Sequence, residues 1–399
     1  MASVRPDTVA HASAIDALTR ELHARRAGSR WRLRRTLHGA QGTHVVVDGE
    51  PVLAFASNDY LGLANDARLL DAVRTAIARY GVGAGASHLA GGHASAHAEL
   101  EEALAAFVDP CDGARALSFS SGYLANQAVL TALCGRGDAI FADRLNHACL
   151  NDGALLSRAE LIRYAHGDAD ALGARLAGSR HRRKLIATDA VFSMDGDVAP
   201  LRALLALADA HDALLLVDDA HGFGVRGEGR GSLAHEGLRS PRLVYMGTLG
   251  KAAGVAGAFV AAHPAVVETL VQSARAYIYT TAAPPLLACA VSAALQIMRD
   301  EPERRVRLAE RIAQFRAGAA SLPWRLAASD SPIQPLIVGD DARAVALSDR
   351  LRGASIFVPA IRPPTVPVGT ARLRVSLSAA HTAADVERLL GALRQAAPA

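Results

Sequence analysis

Residues 213–254, ALLLVDDAHGFGVRGEGRGSLAHEGLRSPRLVYMGTLGKAAG, constrain the rest of the chain more than any other stretch. Two apolar runs, 214–217 and 243–246, have the length and apolarity of buried strands. Each ends in polar residues: Asp218, Asp219 and His221 after the first, Thr248 and Lys251 after the second. Open α/β sheets bind ligands beyond the carboxyl ends of their strands, so these groups can converge. A carboxylate, an imidazole and a lysine are the parts of a pyridoxal phosphate (PLP) site. There the lysine forms the Schiff base and an acid keeps the pyridine nitrogen protonated. The chain has only two lysines, Lys184 and Lys251, among 43 basic side chains. Lys184 follows His181, Arg182 and Arg183 and reads as a solvated surface charge, whereas Lys251 sits in a glycine-rich, nearly uncharged stretch.

A length of 399 residues points to two domains with ample core. A net charge of +4 gives no case for a nucleic-acid partner, and clusters such as Arg32, Arg34 and Arg35 read as solvated faces. Cys111, Cys134, Cys149 and Cys289 show no metal spacing and read as small apolar residues in a reducing cytosol. There is no secretory core and no charge-free apolar run of 18 residues, so a cytoplasmic protein without a membrane partner is expected.

Along the chain, residues 1–10 read as disordered and 14–26 as a short helix. His44-Val45-Val46-Val47, an Asp48-Gly49 turn and Val52-Leu53-Ala54-Phe55 read as a hairpin. SNDYLGL follows, with Asn58 and Asp59 in a turn. Residues 81–104 form a glycine-rich loop running into a helix; its glycines lack dinucleotide-binding spacing and no strand precedes them, which argues against a dehydrogenase. His93 and His97 at i,i+4 lack the glutamate of a zinc motif, so helix packing is expected and no metal. From Ala116 the pattern is α/β, and Ser121, Gly122 and Tyr123 open a helix whose free amides favour a phosphate. The strand at 185–188 ends in Ser193, Met194, Asp195 and Gly196, and 201–211 reads as an apolar helix.

VDDAHGFGV, with the lysine of TLGKAAG 30 residues after the histidine, resembles the α-oxoamine synthases, PLP enzymes of the aspartate-aminotransferase fold. The resemblance runs from about Leu22 onward. It implies an α/β, type I fold: a large domain on a mixed, mostly parallel sheet and a smaller α+β C-terminal domain. The expected division is an arm at 1–50, a PLP-binding domain at 51–285 and a small domain at 286–399. It also implies a homodimer with shared sites.

Residue by residue, the resemblance makes Lys251 the Schiff-base lysine and Asp218, three before His221, the partner of the pyridine nitrogen. His147 stacks over the ring, while His221 and Ser193 face the phenolic oxygen. The amides of Gly122 and Tyr123 and the Thr248 hydroxyl take the phosphate, joined by Thr281 from the other subunit. Arg32, Asn58, Ser87, His147 and Thr365 line the substrate site, and Arg374 holds the amino acid's carboxylate bidentately. The implied reaction is a decarboxylative condensation of an amino acid with an acyl thioester. IQPLIVGD and AIRPPTVPVGTARLR resemble the branch that joins L-alanine to a pimeloyl group on CoA or acyl-carrier protein. The branches using glycine with a short acyl-CoA, or serine with a long acyl chain, stay open as alternatives. A non-catalytic PLP-fold binding protein would have lost the lysine or the aspartate, and neither is lost.

Overall fold

A computed structural model describes residues 13–28 and 31–397; the segment read as disordered lies outside them. The centre is a seven-stranded sheet in the order Arg115–Phe119, Ala258–Ala262, Leu243–Thr248, Ala213–Asp218, Lys184–Asp189, Ala139–Asp143, Glu160–Tyr164. Only Ala258–Ala262 runs against its neighbours. The central strands are buried on both faces, which is why they read as continuous apolar runs rather than alternating ones. One face packs against residues such as Leu204, Leu215, Phe223 and Leu295, the other against Ala125, Val129, Leu216 and Met246.

All five strands of the parallel run end at the same edge, where Asp143, Asp189, Asp218 and Thr248 stand on neighbouring strands. The loop beyond Thr248 must also pass close to the chain at 63–64. Gly254 makes this possible: its φ is +70°, and a Cβ there would lie 2.5 Å from the Ala64 nitrogen.

A smaller four-stranded antiparallel sheet, in the order Arg325–Leu326, Ile333–Gly339, Ala371–Ser376, Ala360–Ile361, stands over that edge with the Asp341–Gly353 and Ala383–Gln395 helices. On Ala371–Ser376 both faces are buried. Leu373 and Val375 enter the core, while Arg372 and Arg374 face the 193–195 loop of the large sheet.

The hairpin forms as expected, His44 pairing with Leu53 and Val47 with Glu50. It is not part of a separate arm, however. A boundary after residue 50 would part its two strands, and its edge strand finds a ladder partner in Ile356–Phe357, paired parallel at Leu53 and Ala54. Phe55 N–H then donates to the Phe357 carbonyl, and its own carbonyl accepts from Ser376 N–H, both at 2.9 Å. The helix before it, Ala14–Ala27, starts on a Ser13–Asp16 capping box and leaves Ile15, Leu18 and Leu22 exposed. Among the described residues no helix is long and apolar enough to cross a membrane.

Candidate active site

A cavity of about 730 Å³ opens between the carboxyl edge of the large sheet and the small one. Asn58, His147, Ser193, His221, Lys251, Thr365 and Arg374 line it together. Lys251 Nζ lies 2.9 Å from His221 Nε2, and His221 Nδ1 lies 2.6 Å from the Tyr60 hydroxyl, which donates to Asn58 Oδ1 at 3.1 Å. Only one proton pattern satisfies every member when the lysine is an ammonium: Nζ donates to Nε2, Nδ1–H to the tyrosine oxygen, and the tyrosine to the amide. Burial pushes the Lys251 ammonium below its ordinary pKa, with Asp218 opposing and Arg374 reinforcing. Burial lowers His221 well below the usual imidazole range, aided by Lys251, Arg374 and His147. The lysine can therefore release a proton more readily than a surface lysine.

Asp218 is buried behind the cavity, its Oδ2 held by Asn126 Nδ2 at 2.6 Å and its Oδ1 by the Ala220 amide at 3.0 Å. The Cys149 thiol also reaches Oδ2 at a long 4.0 Å, and Oδ1, with one donor, keeps a lone pair for a further N–H. Asp219 faces away, bound by Ser232 and Tyr245, and its burial raises the carboxyl to about 6. Ser121 caps the Gly122–Leu133 helix through Leu124 N–H, which leaves the Gly122 and Tyr123 amides in the unbonded first turn. A Cβ on Gly122 would lie 4.0 Å from Thr248 Oγ1, so hydroxyl and amides share one corner. The Tyr123 hydroxyl donates to Asp152. These groups (a buried amine, a buried carboxylate with a spare lone pair, a helix N-terminus beside a hydroxyl) fit PLP.

Arg374 is buried, with Nε donating to the Ser193 carbonyl at 2.7 Å and Nη1 to Asn58 Oδ1 and Ser376 Oγ. Only Nη2 is left to offer. The expected bidentate grip on a carboxylate would require one of those bonds to open. Arg32 donates to the Thr365 hydroxyl at 3.4 Å and lines an adjoining cavity of about 290 Å³ with Arg362. Ser87 and Thr281 do not reach the main cavity. They bridge each other, and Thr281 lines a separate pocket with Ser118 and Ser120.

Four contributors escaped the sequence reading. Tyr60 sits inside the SNDYLGL segment already singled out, yet its bond to His221 spans 161 residues. Asn126 holds Asp218 from inside an apolar helix. Asp189 accepts the His147 backbone N–H at 2.8 Å, and its burial next to Asp218 raises its pKa well above the usual range. Cys149, read as an apolar filler, lies 2.9 Å from His147 Nδ1.

His88 joins His93 and His97 in a cluster beside the Ser95–Val108 helix, with ring nitrogens within 4.8 Å of one another. His97 spends both nitrogens on backbone, accepting from Ala94 N–H and donating to the Ala283 carbonyl. His88 stacks on Tyr277 and shares a hydrogen bond with His93. These contacts are packing.

The family described as aminotransferase class I and II matches residues 50–393. An 8-amino-7-oxononanoate synthase from Nitrosomonas europaea is 59% identical over 384 residues, covering 95% of this chain and 98% of its own. A serine palmitoyltransferase from S. paucimobilis with a bound PLP–myriocin aldimine superposes with a TM-score of 0.89 at 29% identity, over 96% and 97% of the two chains. An 8-amino-7-oxononanoate synthase from Francisella tularensis superposes at 0.74 with 31% identity, over 86% and 97%.

Proposed function

Since the chain belongs to the aminotransferase class I and II family and, within it, to the 8-amino-7-oxononanoate synthases, we propose that its cavity joins L-alanine to a pimeloyl thioester. The enzyme is a PLP-dependent acyltransferase of biotin biosynthesis. A carbon–carbon bond forms between alanine Cα and the acyl carbonyl. The carbon–sulfur bond breaks to release the thiol carrier, and the Cα–carboxylate bond breaks to release CO2. A proton returns to Cα, and the product is 8-amino-7-oxononanoate.

When bound, PLP supplies an electron sink for negative charge at Cα. In our reading Asp218 takes its ring nitrogen and Lys251 its aldehyde carbon. The Gly122 and Tyr123 amides with Thr248 take its phosphate, and His221 with Ser193 its phenolic oxygen. Lys251 Nζ, held by His221 and depressed by burial, accepts the proton from alanine Cα as general base. Arg374 Nη2 orients the alanine carboxylate, and Asn58 keeps that guanidinium in place. His147 exchanges protons with the reacting groups from the cavity wall. Arg32 and Thr365 act on the acyl side. Ser87 and Thr281 serve the other subunit's site in a homodimer, which we place in the cytoplasm. We divide the chain into a large domain at 55–285 and a small one at 286–399 joined by the hairpin at 44–54.

One observation carries this reading: Lys251, His221 and Arg374 line one cavity with Asp218 buried behind it. Incubating the purified protein and PLP with alanine and pimeloyl-CoA, and weighing the products, tests it. The product and CO2 are expected in equal amounts. Faster condensation of glycine with acetyl-CoA would replace this assignment with the glycine branch.

A further inference from the structure

His147 caps the Ala148–Ser157 helix, and Cys149 sits in that helix's first turn. The Cys149 backbone N–H points at His147 Nδ1 from 3.3 Å, and its Sγ lies 2.9 Å from the same nitrogen. An amide hydrogen aimed from 3.3 Å disfavours a proton on that ring nitrogen without excluding one, and the closer thiol, donating to the same lone pair, completes the preference. The thiol has a proton to give: it is buried, and that burial, with the Asp218 carboxylate nearby, pushes it up to about 12. Asn126 fixes its place, donating through Nδ2 to Cys149 Sγ at 3.1 Å and to Asp218 Oδ2 at 2.6 Å. No hydrogen bond reaches His147 Nε2 among the described residues, and the ring lines the cavity beside Lys251.

We propose that Cys149 is a positioning residue whose thiol, held by Asn126, donates to His147 Nδ1 and locks the ring as the Nε2–H tautomer. The ring then offers the cavity a donor rather than a lone pair. The charged groups facing it are Asp218, Lys251 and Asp152, with Asp189 on its backbone amide. A donor at Nδ1 opposes protonation there, in the same direction as burial, which already lowers the imidazole. The consequence for turnover rests on the proposed role of His147 as a proton-exchanging group. The tautomer itself does not.

Cys149→Ser keeps a donor, and Cys149→Val fills the space without one. In ¹⁵N-histidine spectra of the holoenzyme, wild type and Cys149→Ser should show bare Nδ1 and protonated Nε2 for His147 at neutral pH. Cys149→Val should show partial protonation at Nδ1. The acidic limb of its kcat–pH profile should move up by about one unit, the equivalent of one ordinary hydrogen bond. Its kcat at neutral pH should fall roughly three- to tenfold, with the KM for alanine within twofold. A Cys149→Val enzyme with wild-type spectra and pH limb, or one better than Cys149→Ser, would show that only packing matters and overturn the proposal. The expected spectra in a protein unable to condense alanine with pimeloyl-CoA would uphold the thiol's role and overturn the functional reading instead.

Discussion

Tyr60→Phe is the sharpest probe of the site, because it removes one oxygen from a fully buried position. That oxygen accepts from His221 Nδ1 and donates to Asn58. Without it, the imidazole keeps a buried N–H that has no acceptor, at a cost of about 1–3 kcal/mol. The ring can escape only by moving its proton to Nε2, and that nitrogen then turns a hydrogen toward Lys251, which loses its acceptor. Either way the geometry of Nζ suffers. The expected loss in kcat/KM for alanine is roughly fivefold to 150-fold, the same 1–3 kcal/mol expressed as a rate ratio. The sign on Lys251 is also fixed. An ammonium without its acceptor is harder to keep, so the acidic limb of kcat against pH, which reports the lysine freed by the substrate, should move down, by about one unit for each 1.4 kcal/mol. Steady-state kinetics from pH 6 to 9 with a saturating thioester reads both quantities. A variant within twofold of wild type and with an unmoved limb would refute the reasoning, since lysine and histidine would then hold their places without the tyrosine.

Borohydride reduction of the holoenzyme should leave a pyridoxyl adduct on the peptide containing Lys251, and Lys251→Ala should abolish both adduct and turnover; an adduct on Lys184 would sink the assignment. Arg374→Ala should weaken alanine and glycine by similar factors and leave their ratio, about tenfold to 200-fold for one methyl, nearly unchanged; a large change in ratio would mean the arginine does not hold the carboxylate. His166 bridges Asp143 and Asp197, whose hydrogen bonds raise it to about 10. A raised folded pKa stabilises fully below about 6.5 and is lost as pH rises through about 10. The stability gap between wild type and His166→Gln in urea unfolding should therefore shrink from pH 6 to 10.5, and a constant gap would deny the ion pairs a role.

The large sheet was legible because its strands are buried on both sides and so carry unbroken apolar runs such as LLLV. Lys251 was legible because the chain has almost no other lysine. The residues that escaped have roles created by distant partners: nothing local marks Asn126 as the holder of Asp218, 92 positions away. Cys149 fails differently. Its partner is two residues off, but a thiol becomes a donor only once burial and ring orientation are known. The hairpin was read correctly by its alternation, yet its placement depends on a strand at 356–357 that supplies its ladder. Arg374 alternates with Leu373 and Val375 as an exposed strand arginine would, and only the 193–195 loop lying across that face buries it.

The pairing of Asn58 with Arg374 also governs timing during synthesis, because 316 residues separate them. At roughly 5–20 residues per second, a ribosome needs about 15 seconds to a minute to make the second partner after the first. In the later part of that interval Asp218 and Lys251 already exist, while the 356–357 strand that pairs with the 53–55 edge and Arg374 have yet to be made. The nascent chain therefore carries the reactive half of its cavity before the half that selects and orients the substrate. A protein halted between Lys251 and Arg374 would hold a lysine and an acid facing open solvent, with no means of choosing what they meet.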